Sequence, residues 1–78
     1  MEKNVLIEIL KTSTGYGAHA PHYPGCVATG KTLDETRDRM LKALDWHIKG
    51  MLEDNAELPP DSEYCEIVSV KMPEAVHA

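Results

Sequence analysis

Hydrophobic and polar positions alternate from the start of the chain. Val5, Ile7 and Ile9 fall on one parity and Leu6, Glu8 and Leu10 on the other. The segment therefore reads as a strand with one wholly apolar face and a second face interrupted only by Glu8, a pattern that needs cover on both sides. Thr12-Ser13-Thr14-Gly15 is a turn signal. Tyr16 to Ala20 then reads as the returning strand of a hairpin, ended where Pro21 removes a ladder donor. Pro24-Gly25 sets a second turn, and Cys26 to Thr29 reads as a short third strand in meander order.

After Gly30 the period changes from two to 3.6. Thr32 and Glu35 form a capping box, in which the hydroxyl accepts the amide at the third helical position and the carboxylate returns to the cap amide. At about 100° per residue, Leu33, Met40, Leu41, Leu44, Ile48, Met51 and Leu52 fall within a stripe roughly 120° wide, with the Arg37 stem on it. This predicts a helix to about Leu52 laid against the sheet. Glu35–Arg39, Asp38–Lys42 and Asp45–Lys49 are acid-before-base pairs at four-residue spacing, each favouring the solvated helix by a few tenths of a kcal/mol. Asn55 is a left-handed terminator, and Leu58-Pro59-Pro60-Asp61-Ser62 is an extended loop. Tyr64 to Met72 reads as a fourth strand, with Tyr64, Val68, Val70 and Met72 on one face and Cys65 and Ile67 on the other. The predicted order is β-β-β-α-β: an α+β fold with an antiparallel-rich sheet and one long helix packed on one face, forming a single domain over residues 1–78. The sheet's other face, carrying Leu6 and Leu10, is left partly apolar and in need of cover.

Size bears on association. A chain of 78 residues buries only about 60% of its unfolded surface, so help from a second copy, most simply a homodimer, or from another partner is expected. Thirteen acidic residues against eight basic ones give a formal charge of −5, which opposes direct nucleic-acid binding and suits a basic partner. No apolar run approaches the roughly 20 residues of a membrane span. Glu8 interrupts the first apolar run and no small-residue cleavage site follows, so neither a membrane anchor nor a signal peptide is read, and a cytoplasmic location is expected. Cys26 and Cys65, far apart and flanked by strand-like residues, fit buried reduced thiols rather than a disulfide framework.

Few residues invite chemistry. His19, His22, Cys26, His47 and Cys65 are metal-ligating types, but no Cys-x-x-Cys or His-x-x-x-His pair exists. A Cys–His hydrolase would need Cys26 beside His22 or His47 with Asp34 as orienter, and no oxyanion hole is identifiable. Gly15, Gly17, Gly25 and Gly30 lack the Lys-Ser/Thr that opens a phosphate-loop helix. Neither a catalytic residue, a metal site nor a cofactor is expected. Trp46 is the anomalous side chain: the helical wheel puts it opposite the apolar stripe, between Ala43 and Gly50, where a small-residue neighbourhood lets a second chain approach. Asp34 and Asp38 sit in the first helical turns, where they either serve the helix dipole or dock a basic partner.

The first strand and the segments that follow it, as far as His47, carry a resemblance. The Gly-Tyr-Gly-Ala hairpin, the Pro-x-x-Pro-Gly-Cys turn at Pro21 to Cys26, the Gly-x-Thr-x-x-Glu run at Gly30 to Glu35 and the Ala43-Leu44-x-Trp46-His47 helix centre together resemble the HicB-like antitoxins. The resemblance implies a trimmed ribonuclease H-like fold without that enzyme's acidic metal centre. It implies a non-enzymatic domain that neutralises a small basic mRNA-cleaving toxin of the HicA type by covering its active surface. The alternative is an orphan structural or ligand-binding homo-oligomer with no toxin partner. Longer relatives carry a C-terminal ribbon-helix-helix or helix-turn-helix segment that binds an operator; here only Pro73 to Ala78 follow the fourth strand, so no DNA-binding half is expected. His22 and Lys31 stand where Asp is usual in the family, and Thr36 where Ala is usual. The candidate interface set is Trp46, Ala43, Gly50, Leu6, Leu10, Asp34 and Asp38.

Overall fold

The structure, a computed structural model, describes residues 2–74; the end of the expected domain at Ala78, with the last residues of the Pro73–Ala78 segment, lies outside the described residues. Three strands precede one helix: β1 (Glu8–Lys11), β2 (Tyr16–His19), β3 (Val27–Gly30) and α1 (Leu33–Glu53). The strands form an antiparallel sheet in the order β1-β2-β3, so the α+β class and the meander read from the sequence hold. The ladder is shorter than the alternation predicts. It begins at Glu8, and residues 4–7 run alongside without laddering, although Val5 and Ile7 still pack against the core.

Register fixes which side of the sheet is buried. Ile9 pairs with Ala18 and Ala18 with Ala28, and this row lies under the helix. The rows on either side, Glu8-His19-Val27 and Leu10-Gly17-Thr29, point to the opposite face, where Leu10 and Val27 are exposed. The first hairpin closes with Thr12 N–H donating to the Gly15 carbonyl at 2.8 Å. Gly15 has no room for a side chain, since a Cβ would collide with the Gly30 carbonyl. Gly25, at φ 88°, takes the left-handed turn that lets Cys26 re-enter the sheet.

The helix starts as its capping box predicts. Glu35 N–H donates to Thr32 Oγ1 at 3.1 Å, while the Glu35 carboxylate accepts from the Lys31 amide at 3.0 Å, one residue earlier than the cap itself. It ends in a Schellman arrangement: Asn55, at φ 56°, donates to Leu52, and the Ala56 N–H donates to the Met51 carbonyl at 2.8 Å.

The core comprises Ala18, Ala20, Tyr23, Cys26, Met40 and Leu44, with Met40 and Thr36 at 0% exposure. Burying Met40 contributes about 1.5–3 kcal/mol. The buried stripe is rotated from the predicted one. It runs through Thr36, Met40, Leu44 and the half-buried Ala43, His47 and Met51, whereas Leu33, Leu41 and Leu52 are exposed. The cause is placement, because the helix lies chiefly over β3 and β2 and only marginally over β1.

Among the described residues, the predicted fourth strand pairs with no other strand. Residues 64–72 carry no ladder and are exposed throughout, Ile67 at 101%. One backbone bond, from Ser62 N–H to the Asn4 carbonyl at 2.9 Å, roots this arm beside the segment leading to β1. Cys65 is accordingly exposed, not buried as its strand context predicts, while Cys26 is buried; both are free thiols.

Candidate functional site

The residues that invited chemistry do not converge. His19 is engaged across the open sheet face, its Nε2 lying 2.6 Å from Glu8 Oε1 on the neighbouring strand. His22 is exposed in the proline turn. His47 is half-buried and meets Tyr23 edge to face at 6.3 Å between ring centres. Burial holds the Cys26 thiol above its ordinary value, which opposes thiolate chemistry. Among the described residues, no three His, Cys, Asp or Glu side chains come together as a metal group.

What the fold presents is surface. On the outer side of α1, Trp46 is 80% exposed and lines a shallow depression of about 280 Å³ with Lys49, Gly50 and Glu53. A tryptophan held in water on a helix of otherwise charged neighbours is a costly exposure of apolar area unless a partner covers it. Gly50 has open space where a Cβ would project, which keeps the floor of that depression low. Ala43 does not belong to this surface: it packs against the core. Asp34 and Asp38 are exposed at the start of the helix, and Asp34 accepts from Arg37 Nη2 at 2.8 Å. That ion pair is solvent-exposed and neutralises part of the charge a basic partner would meet.

The second surface is the open sheet face. Leu10 and Val27 are exposed there, Leu6 is half-buried, and the Glu8–His19 pair lies between them. A third surface runs along the β3 end of the molecule. Arg39 donates from Nη1 to the Thr29 carbonyl at 3.0 Å, and with Lys31, Tyr16 and Thr12 it lines an open groove of about 320 Å³. Lys11 Nζ stands 5.7 Å from the centre of the Tyr16 ring. The sequence pattern alone does not single out this groove, because its residues come from the turn before β2, the end of β3 and the first helical turns.

Two buried residues escape the pattern as well. Tyr23 lies between two prolines, which reads as exposed turn, yet its ring fills the core. Thr36 is polar and so falls out of an apolar wheel count, yet its hydroxyl donates to the Thr32 carbonyl at 2.8 Å and its side chain is fully enclosed. Its position one turn before Met40 was the available signal.

A three-stranded meander under one long helix, with open faces and no convergent polar cluster among the described residues, defines a small α+β domain built around its surfaces. The profile of the HicB_like antitoxins of bacterial toxin-antitoxin systems matches residues 4–75, and the chain belongs to that family. Among curated proteins, a 14.9 kDa uncharacterized protein of the rep-hol intergenic region of Haemophilus phage HP1 (strain HP1c1) is 45% identical over 51 residues, which is 65% of this chain. The match spans 38% of that relative's length. Among solved structures, a chain of the HicA3 and HicB3 toxin-antitoxin complex is similar with a TM-score of 0.57 and 26% identity, over 73% of this chain and 72% of that one. No helix of the described residues is long and apolar enough to cross a membrane.

Proposed function

We propose that this chain is a non-enzymatic antitoxin that binds a small basic ribonuclease of the HicA type and silences it by covering its active surface. The observation that carries the reading is the family match over nearly the whole described chain, with the likeness to a chain of a toxin-antitoxin complex in support. The chemistry is compatible. A formal charge of −5 attracts a basic protein, and long-range attraction of this kind raises the encounter rate. Within the surface, Trp46 and Gly50 are the proposed anchor and Asp34 and Asp38 the proposed steering charges. Leu6 and Leu10 on the open sheet face are held as a second contact.

The test is co-expression with a small basic ribonuclease encoded beside this chain, followed by co-purification and an RNA-cleavage assay. A stable complex that blocks cleavage is expected. Trp46→Ala should weaken binding by about 2 kcal/mol or more, the loss typical of a buried interface anchor. The paired change Asp34→Lys with Asp38→Lys should slow association with a reduced salt dependence. Undiminished RNA cleavage in the presence of excess chain refutes the proposal and leaves the structural homo-oligomer as the reading.

A further inference from the structure

Three unsatisfied features meet along one edge of the sheet. The first is backbone. β1 is an outer strand, and the residues leading into it carry, among the described residues, one backbone bond on that side, the Ser62–Asn4 contact. An open edge of this kind is a template for a further strand. Residues 3–7 and 62–65 together line a cleft of about 540 Å³, and the Ser62–Asn4 bond and a Lys3–Asp61 ion pair at 3.2 Å hold the root of the arm beside the edge without a ladder among the described residues.

The second feature is the flank of the helix above. The bond from Arg39 to the Thr29 carbonyl fixes the Arg39 side of α1 over the β3 edge. At about 100° per residue, Leu41 and Leu52 lie roughly 140–160° round the helix from Arg39. They therefore lie on the flank of the helix opposite the β3 edge, the flank turned toward the β1 side, and both are exposed.

The third feature is the arm. Residues 64–72 have strand composition, with Tyr64, Ile67, Val68 and Val70 all exposed and no backbone ladder among the described residues. The arm leads away from its own body: the radius of gyration is 15.5 Å, against about 11.5 Å for a compact chain of this length, and the longest extent is 51 Å against 27 and 18 Å.

We propose that the arm is a strand exchanged between two copies of this chain, each copy laying residues 64–72 along the partner's β1 edge beneath Leu41 and Leu52. The donor and the acceptor are both on the same chain, so a two-fold pair satisfies both edges and both arms at once. Such a closed exchange leaves no free strand to propagate. It also supplies apolar cover that a chain of 78 residues cannot generate alone. The inference is independent of the toxin reading, because every measurement that tests it uses this chain by itself.

Val68→Pro in the full chain tests it. Proline removes a ladder donor at the middle of the arm and leaves the described core untouched, since Val68 is exposed. Light scattering should give twice the 8.7 kDa chain mass for the unaltered protein and a single chain mass for the variant. A second measurement does not depend on the variant: unaltered protein mixed from isotope-labelled and unlabelled copies should show interchain NOEs from the Val68 and Val70 methyls, which share one strand face, to Ile7, Ile9 and Leu41. A monomer whose arm contacts only its own edge overturns the proposal. A dimer unchanged by Val68→Pro, or one lacking those interchain contacts, overturns it equally.

Discussion

Gly30 closes β3 two residues before the helix cap, and replacing it by Ala probes the seam between sheet and helix. Its backbone lies outside the left-handed region, so space alone decides the outcome. A Cβ would stand 2.6 Å from Thr36 Oγ1, 3.0 Å from the Thr36 nitrogen and 3.1 Å from Glu35 Oε1. The neighbours cannot swing clear: Thr36 is fully buried with its hydroxyl tied to Thr32, and the Glu35 carboxylate holds the Lys31 amide. Overpacking of this kind costs about 1–3 kcal/mol, offset by about 0.4–1 kcal/mol from the stiffer unfolded chain, for a net loss of about 1–2 kcal/mol. Thr36→Ala alone costs about 1 kcal/mol, because the Thr32 carbonyl keeps the Thr36 amide at 3.0 Å and is not orphaned. In the double variant the nearest collision is gone, though the Thr36 nitrogen remains close. The double variant should therefore fall short of the summed losses by about 1 kcal/mol. Urea unfolding of all four proteins at one chain concentration measures this, since association would shift apparent stability if concentration varied. If Gly30→Ala costs the same in both backgrounds to within about 0.3 kcal/mol, the steric argument is wrong.

The two thiols should behave differently. Cys65 should react with a maleimide at once and Cys26 only on unfolding, read as one fast and one slow equivalent. Burial raises the Cys26 value, so the folded state keeps a proton that the unfolded state releases. The stability it contributes is complete below the unfolded thiol value of about 8.5 and is lost as pH rises through the higher folded value. The alkaline decline should therefore be shallower in Cys26→Ala, and equal slopes would contradict the assignment. Tyr23→Phe should leave stability unchanged or raise it by about 1 kcal/mol, because the Tyr23 hydroxyl is buried with no hydrogen-bond partner among the described residues. A loss above that size in thermal or urea unfolding would show that the hydroxyl is bonded in solution.

Much of the architecture was legible because it rests on local rules. The turn at Gly15, the capping box at Thr32 and the left-handed Asn55 are each set by residues within a few positions of one another. What failed was non-local. A helical wheel locates an apolar stripe but not the strand it lies over, so it places Leu33, Leu41 and Leu52 on the buried face, although the helix sits toward β3 and leaves them exposed. The same count passed over Thr36, whose polarity is satisfied inside its own helix. The alternation of residues 64–72 identifies a segment fit for a ladder but cannot say which chain supplies the other strand. Of the candidate surface, Trp46 and Gly50 are exposed, and Ala43 is half-buried and packs against the core. The Arg39 groove was invisible because three separate segments build it.

The positions of these features bear on how the two proposals relate. Trp46 lies five residues from Leu41, about 140° round the helix, so the proposed partner anchor and the proposed cover for the exchanged strand occupy different flanks of α1. Strand exchange uses backbone groups at the β1 edge together with Leu41 and Leu52. The toxin reading uses Trp46, Gly50 and the acidic helix start. Neither set of side chains is needed twice. A dimer assembled through exchanged arms would still present two Trp46 surfaces outward, and two linked copies of one binding surface gain affinity for a paired partner without any new contact. Self-association would then serve the binding role, supplying the cover that so short a chain lacks while leaving its most exposed aromatic residue free to engage another protein.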